Sequence, residues 1–512
     1  VNDSEQNNLP KSYFVFKMES RVRKAFDLGK CLDFQNKKLL LIGHGCIGST
    51  FLTLLLRHSN IPHKNVLVLD MKKDALKTVP KNIKSKKIFV SKSNYIDLIL
   101  SFLGSGDILV DLGYYIDTKD LLKICNQNQI HFVNTAVELW NNDGEYEDGV
   151  EDLKEPDPRK QTLYYRQQEI QKMIKTFQTK TTSIITHGAN PGWVSHFVKE
   201  ALVDMVNYLD KQHKLSAKKL DKLNRLIVDE NYPQIAKILN VQVIHISERD
   251  SQIVKDIKQE NVFRNTWSVI GFIEEGVAPA ELGWGTHESD KIGLSYDVGP
   301  QNQIALRSRG INTWVKSWVP SGPFIGMIVR HEEAYSISKY LTIDDYRPTV
   351  HYAYLPCNEA IVSLNEIQNR MMMDNKIPEI KEEILNKQIL KGKDELGVLL
   401  FSKDLTWWRG SLLDIDEARM LIPTQSATSI QVGISVLAAV YYCLTHPNEG
   451  VIHPECMEHL DILWLIEAYL GPIQSTPVEW SPLHSSTDYV KMDKRNPFRF
   501  ENFVVSYYPK NI

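Results

Sequence analysis

LLLIGHGCIGSTFLTLLLRHS, residues 39–59, breaks an apolar run on three glycines and then resumes it at helical spacing. Leu39 to Ile42 is short, apolar and preceded by Lys37 and Lys38, the pattern of a strand buried in a parallel sheet. Gly43, Gly45 and Gly48 then spell G-x-G-x-x-G around Cys46 and Ile47, and Phe51, Leu52, Leu54, Leu55 and Leu56 cluster as on a helix. In such a unit the first glycine makes a tight turn, the second lets backbone approach a pyrophosphate, and the third lets the helix pack closely. Unpaired N–H groups at the helix start would meet the phosphate oxygens.

Asn65 to Leu69 is a second apolar run, and it ends on Asp70, the acid expected about 20 residues beyond the glycines to bind ribose hydroxyls. A carboxylate there repels a 2′-phosphate, so NAD is expected over NADP; Lys72 and Lys73 soften that preference. The alternation continues with Lys86 to Val90 as a strand, Tyr95 to Leu103 as a helical patch, Ile108 to Leu112 as a strand, Thr118 to Asn126 as a helix and His131 to Ala136 as a strand. Strands alternating with helices imply a parallel sheet covered on both faces, with ligands beyond the carboxyl ends of its strands. That rule selects Asp111, Gly113, Asn134, Thr135 and the nearby Glu138.

At 512 residues the chain is too long for one core. A net charge of −3 gives no reason to expect nucleic acid, and the basic clusters at Lys81 to Lys87 and Lys211 to Lys222 read as solvated faces. Six scattered cysteines without C-x-x-C spacing give no reason to expect a thiolate zinc site or a disulfide framework, which fits a reducing cytoplasm. The N-terminal segment lacks the apolar core of a signal peptide. Ile430 to Leu444 falls short of the roughly 20 residues that span a bilayer and reads as a buried helix, so no membrane is expected. His453 to His459 (HPECMEH) holds metal-binding residue types at a spacing matching no standard site, so no metal is expected.

Residues 141–160 are acidic and rich in turn formers, a surface excursion, followed by a polar helix from Thr162 to Lys175 and a strand from Thr182 to Ile185. Asn190, Pro191 and Gly192 make a turn before helix resumes at Trp193. Beyond a polar helical stretch from Tyr208 to Ile238, strands are expected around Val241 to His245, Asn261 to Phe272, Lys291 to Tyr296, Ile304 to Arg307 and Phe324 to Arg330, and the charged stretch Leu364 to Glu395 is expected to project outward. The class is therefore α/β: a dinucleotide-binding domain over residues 1–189, a mixed α+β domain over 190–440, and a C-terminal segment over 441–512 that packs back on the first.

Three segments of the second domain together carry more tryptophan, glycine and acid than a core needs: His245 to Asp250, which supplies acids, Asn265 to Glu288 and Asn312 to Ile337. Carboxylates bind ammonium groups and tryptophan faces attract cations within about 6 Å, so the combination suits an amine-bearing substrate. Core packing accounts for Trp284, Trp314 and Trp318 taken singly.

The strings GHGCIGS, THGANPGWVSHFVKEAL, NTWSV-x-GF-x-x-EG, PAELGWGTHE and SGPF-x-GM-x-x-RHEEA-x-SI occur in order over nearly the whole chain. In them the sequence resembles the bacterial-type homospermidine synthases, whose nearest fold relatives are the saccharopine dehydrogenases. The resemblance implies a Rossmann domain followed by a catalytic and dimerisation domain, a homodimer, and NAD as a recycled cofactor. The implied product is sym-homospermidine, made from two putrescines or from spermidine plus putrescine. Hydride removal would give an imine, a second amine would displace ammonia, and hydride return would complete aminobutyl transfer without net redox change. Such a site must exclude water, which would hydrolyse the imine.

By the same resemblance, Trp267 would hold the cationic intermediate on its face, with Glu275 and Glu248 facing the amines. Glu138 and Asn190 would lie beside the nicotinamide, and His331 near the substrate, in proton transfer. One departure from the family pattern, the polar stretch around Lys211 to Lys222, touches no motif. A saccharopine-type amino-acid dehydrogenase is the rival reading, but it needs clustered arginines for α-carboxylates, and Arg249, Arg264, Arg307, Arg309 and Arg330 are dispersed among acids. A non-catalytic NAD-binding scaffold would need neither Trp267 nor the acids.

Overall fold

The computed structural model describes residues 11–140, 157–288, 295–297, 303–374, 380–484 and 494–505. Most of the expected acidic excursion, and residues 291–294 of one expected strand, lie outside them.

The strands of the first part, joined by Val451–Ile452 from near the C-terminus, pair as a seven-stranded sheet. Its order is Val451–Ile452, Ser183–Ile184, His131–Asn134, Ile108–Asp111, Leu39–Ile42, Val66–Asp70, Lys84–Lys87, and every pairing is parallel. Leu39–Ile42 is buried throughout, as a central strand covered by helices on both faces must be. The chain reverses direction across the sheet at this strand, which opens a crevice between its end and that of Ile108–Asp111.

The edge strand runs over Lys84–Lys87 rather than 86–90. Its KSKK residues are all exposed, while Val90 turns inward to the core beyond it. Lysines on an exposed edge also discourage pairing with another chain. Helix Leu163–Ile174 begins where expected, with the Thr162 hydroxyl accepting from Tyr165 N. Helix Ala427–Thr445 is, among the described residues, the one helix long and apolar enough to cross a membrane, and it is buried against helix Cys46–His58.

A ten-stranded mixed sheet forms the second part. At its centre Val241–Asp250 runs parallel to Thr349–Leu355 on one side and antiparallel to Lys393–Ser402 on the other. The strand expected over Asn261 to Phe272 divides: Val262–Asn265 is extended, and Val269–Val277 is a helix. Ser268 causes the switch, its hydroxyl accepting from Gly271 N at 2.9 Å and capping the helix. The stretch Leu364 to Glu395 does not simply project outward. Lys381–Ile384 pairs with Val262–Asn265, and Asp394 and Glu395 are fully buried on a central strand.

Candidate active site

At Gly43 the backbone is left-handed (φ +87°) and a Cβ would lie 2.4 Å from Leu112 O, while at Gly48 a Cβ would lie 2.1 Å from Gly43 O. Both glycines are therefore demanded by the chain's own packing. At Gly45 a Cβ would meet nothing within 4 Å, so the fold itself does not require glycine there. Gly45 also caps helix Cys46–His58 without a side-chain acceptor, leaving N–H donors directed to the cleft. An open approach beside unpaired donors fits a dinucleotide pyrophosphate.

Asp70 closes the adjoining strand, its Oδ2 accepting from His44 N at 2.7 Å and its Oδ1 from Lys72 N at 2.6 Å. Gly43, Gly45, Cys46, Ile47, Gly48 and Asp70 all line this cleft. Its far wall comes from the second part of the chain, through Ser268, Ile270, Glu382 and Ile384. Asp111 and Thr135 are not in that wall: Asp111 turns back to accept from Gly113 N at 3.1 Å, buried.

Beyond the cleft a second constellation is assembled by sheet register. The parallel pairing sets Tyr354 opposite Glu248 and Tyr352 opposite Ile246, on one face of the sheet. Glu248 accepts from the Tyr352 hydroxyl and, at 2.8 Å, from Asn190 Nδ2. The His331 ring lies 4.2 Å from that of Tyr352, and Tyr352 stacks on Tyr354 at 5.2 Å. Trp267 donates from Nε1 to the Tyr354 hydroxyl at 3.0 Å, its ring partly exposed. Asn190, Glu248, His331 and Trp267 thus share one continuous aromatic wall.

Glu274 and Glu275 are neighbours with different partners. Glu274 accepts from Arg166 (3.2 Å) and Arg330 (2.9 Å), a buried cluster in which loss of the carboxylate would cost about 3–5 kcal/mol. Glu275 accepts instead from His331 Nε2 at 3.0 Å, while His331 Nδ1 donates to Glu333 at 3.1 Å. Glu138 is half-buried, with its N–H donating to the Thr118 hydroxyl at 3.0 Å.

Burial governs the titration of these acids. It lifts Glu248 to about 7, with Asp250 adding to the rise and the Tyr352, Asn190 and His331 contacts opposing it. Burial also raises Glu275, Asp250 and Glu138, and Glu274 pushes Glu138 further. For His331 burial favours the neutral ring, but Glu333 and Glu275 outweigh it and hold the imidazolium well above its usual range. A site with several carboxylates beside one imidazolium is suited to bind amines and to exchange protons with them.

Asp250, Asp394, Tyr352 and Tyr354 were not among the expected site residues. Asp250 and Asp394 are cross-strand partners, accepting from Thr266 and Thr428 hydroxyls at 2.6 Å each. Alternation in TVHYAYL (Thr349–Leu355) places both tyrosines on one strand face and was the available signal. In the His453 to His459 stretch, Glu455 accepts from Ser195 (2.6 Å) and Ser336 (2.8 Å), and His459 bonds Glu200. Trp284 packs in the core against Phe500, and Trp318 against Trp408.

Two family models match the chain: the saccharopine dehydrogenase NADP binding domain over residues 39–185 and the saccharopine dehydrogenase C-terminal domain over 188–471. A homospermidine synthase of Mesorhizobium japonicum is 35% identical over 91% of this chain and 96% of its own. One from Blastochloris viridis is 34% identical over 91% and 97%. The crystal structure of a homospermidine synthase from Legionella pneumophila, in complex with NAD, superposes with a TM-score of 0.80 at 32% identity, covering 94% of this chain and all of that one.

Proposed function

The chain belongs to the homospermidine synthase family, and from that premise we propose how its own residues carry the reaction. It forms sym-homospermidine by NAD-dependent aminobutyl transfer from putrescine. NAD, when bound at the glycine loop and Asp70, supplies a hydride acceptor that returns the hydride after amine exchange. The aminobutyl donor is putrescine or spermidine.

Glu248 receives one end of the diamine. With its carboxyl near 7, it binds an ammonium when ionised and can take the proton that must leave before the nitrogen becomes reactive. Burial disfavours the ammonium as it disfavours the carboxylate, bringing their proton affinities together. Asn190 orients the Glu248 carboxylate from the Rossmann side, where Glu138 also faces the reacting carbon. Glu275 faces the other amine, and His331, held as an imidazolium, returns a proton to departing ammonia. The Trp267 face stabilises the cationic imine and the aromatic wall excludes water from it.

The observation that carries this reading is the charge balance: carboxylates surround the aromatic wall, while Arg166 and Arg330 both bind Glu274. A saccharopine-type dehydrogenase would instead need guanidinium groups directed at a substrate carboxylate. The proposal extends to a homodimer working in the cytoplasm, where six free cysteines are at home. Incubation of the purified protein with putrescine and NAD far below its concentration should yield homospermidine by mass spectrometry, without steady growth of NADH absorbance. Stoichiometric NADH would instead identify an ordinary dehydrogenase.

A further inference from the structure

We propose that Glu382 makes the dinucleotide cleft select NAD over NADP by cancelling Lys72 and adding a carboxylate opposite Asp70. The inference rests on the NAD reading and deepens it. Lys72 follows Asp70 and lines the same cleft, where a cation is placed to accept a 2′-phosphate. Left to itself, Lys72 would offset Asp70. Glu382 lies across the cleft with Oε2 3.8 Å from Lys72 Nζ.

Strand geometry fixes that orientation. Lys381–Ile384 pairs in parallel with Val262–Asn265, and side chains alternate across such a strand. Glu383 is spent on one face, where it accepts from Arg264 Nε at 2.6 Å. Glu382 and Ile384 therefore share the opposite face, and both line the cleft. With Glu382 present the three charges sum to one negative; without it they sum to zero, and a 2′-phosphate loses its repulsion. The carboxylate and the lysine are both partly solvated, so the effect is moderate and falls with salt.

Calorimetric titration of the purified protein with NAD and with NADP tests this directly. In Glu382→Gln, NADP should bind about three- to tenfold more tightly at low salt with NAD changed less than twofold, and Glu382→Lys should shift the ratio further. Raising the salt to 0.5 M should remove most of the difference. An unchanged NAD-to-NADP ratio in both variants, or equal weakening of the two cofactors, would overturn the role of Glu382 while leaving NAD binding intact. Failure of the unaltered protein to bind either dinucleotide would overturn the NAD reading as well.

Discussion

Around the glycine loop the features are backbone donors, an open space at Gly45, the strand-end Asp70 and, across the cleft, Glu382 beside Lys72. Around Glu248 they are several carboxylates, one imidazolium and an aromatic wall, drawn from segments as distant as Asn190 and His331. On the proposed reading the first region recognises the pyrophosphate by shape, an added side chain intruding where the cofactor goes, and keeps charge for the ribose 2′ position alone. The second recognises charge, and neutral isosteres should leave its form intact while changing what it binds. A redox-neutral transferase needs both, since the cofactor must stay in place while polyamines of different length enter and leave.

The largest expected effect would break the first half of that contrast. Gly48→Val places atoms where Gly43 backbone already lies, so the folded protein should be lost. Gly45→Val has room within the protein itself, and should keep the melting temperature while NAD affinity falls by about three orders of magnitude. Differential scanning fluorimetry beside calorimetric titration separates the two glycines. Retained NAD binding in a stable Gly45→Val variant would show that the open space serves something other than the pyrophosphate.

The second region is probed by charge at constant shape. Glu248→Gln should cost about 100-fold in turnover and remove the rise of activity centred near pH 7. Stability should respond with a definite sign. An acid raised from 4.5 to about 7 by burial makes its full contribution below pH 4.5 and loses it as pH climbs through 7. The glutamine variant has no such loss, so its melting temperature relative to the unaltered protein should rise by about 1–3 °C between pH 5 and pH 8. A difference independent of pH would mean that Glu248 titrates normally in the folded chain.

The same contrast explains what could be read from the sequence. The dinucleotide unit is contiguous, and each glycine, the strand and Asp70 act through neighbours a few residues away; its strands fell within a residue or two of expectation except at the lysine-rich edge. The constellation around Glu248 is assembled by register. Trp267, Glu275 and Asn190 were named by family resemblance, but nothing local ties them to Tyr352 or Asp394. The charged run ending at Glu395 looked like a solvated face because charge usually is; here burial against hydroxyl donors and Gln252 keeps Asp250 and Asp394 in the core. Ser268 is a further case, since one capping hydroxyl converted an apolar stretch from strand to helix and thereby set the position of Glu275.

The smallest effect gives the finest test, because Trp267 belongs to both descriptions: its ring is apolar bulk and also a negative π-face. It packs against Phe272 at 5.7 Å and anchors its indole N–H on Tyr354, leaving part of the ring exposed. If that face stabilises a desolvated cation, the contribution is about 2 kcal/mol, and Trp267→Ala should lose about tenfold activity or more. Phenylalanine keeps a weaker face and should retain part of the rate; leucine keeps bulk alone and should not. Packing predicts another order, with leucine and phenylalanine both tolerated and alanine paying in melting temperature for the cavity it leaves. Because phenylalanine and leucine both lose the bond to Tyr354, comparing them removes that contribution and isolates the π-face. Full activity in a stable leucine variant would assign Trp267 to shape and return the recognition of charge to the carboxylates alone.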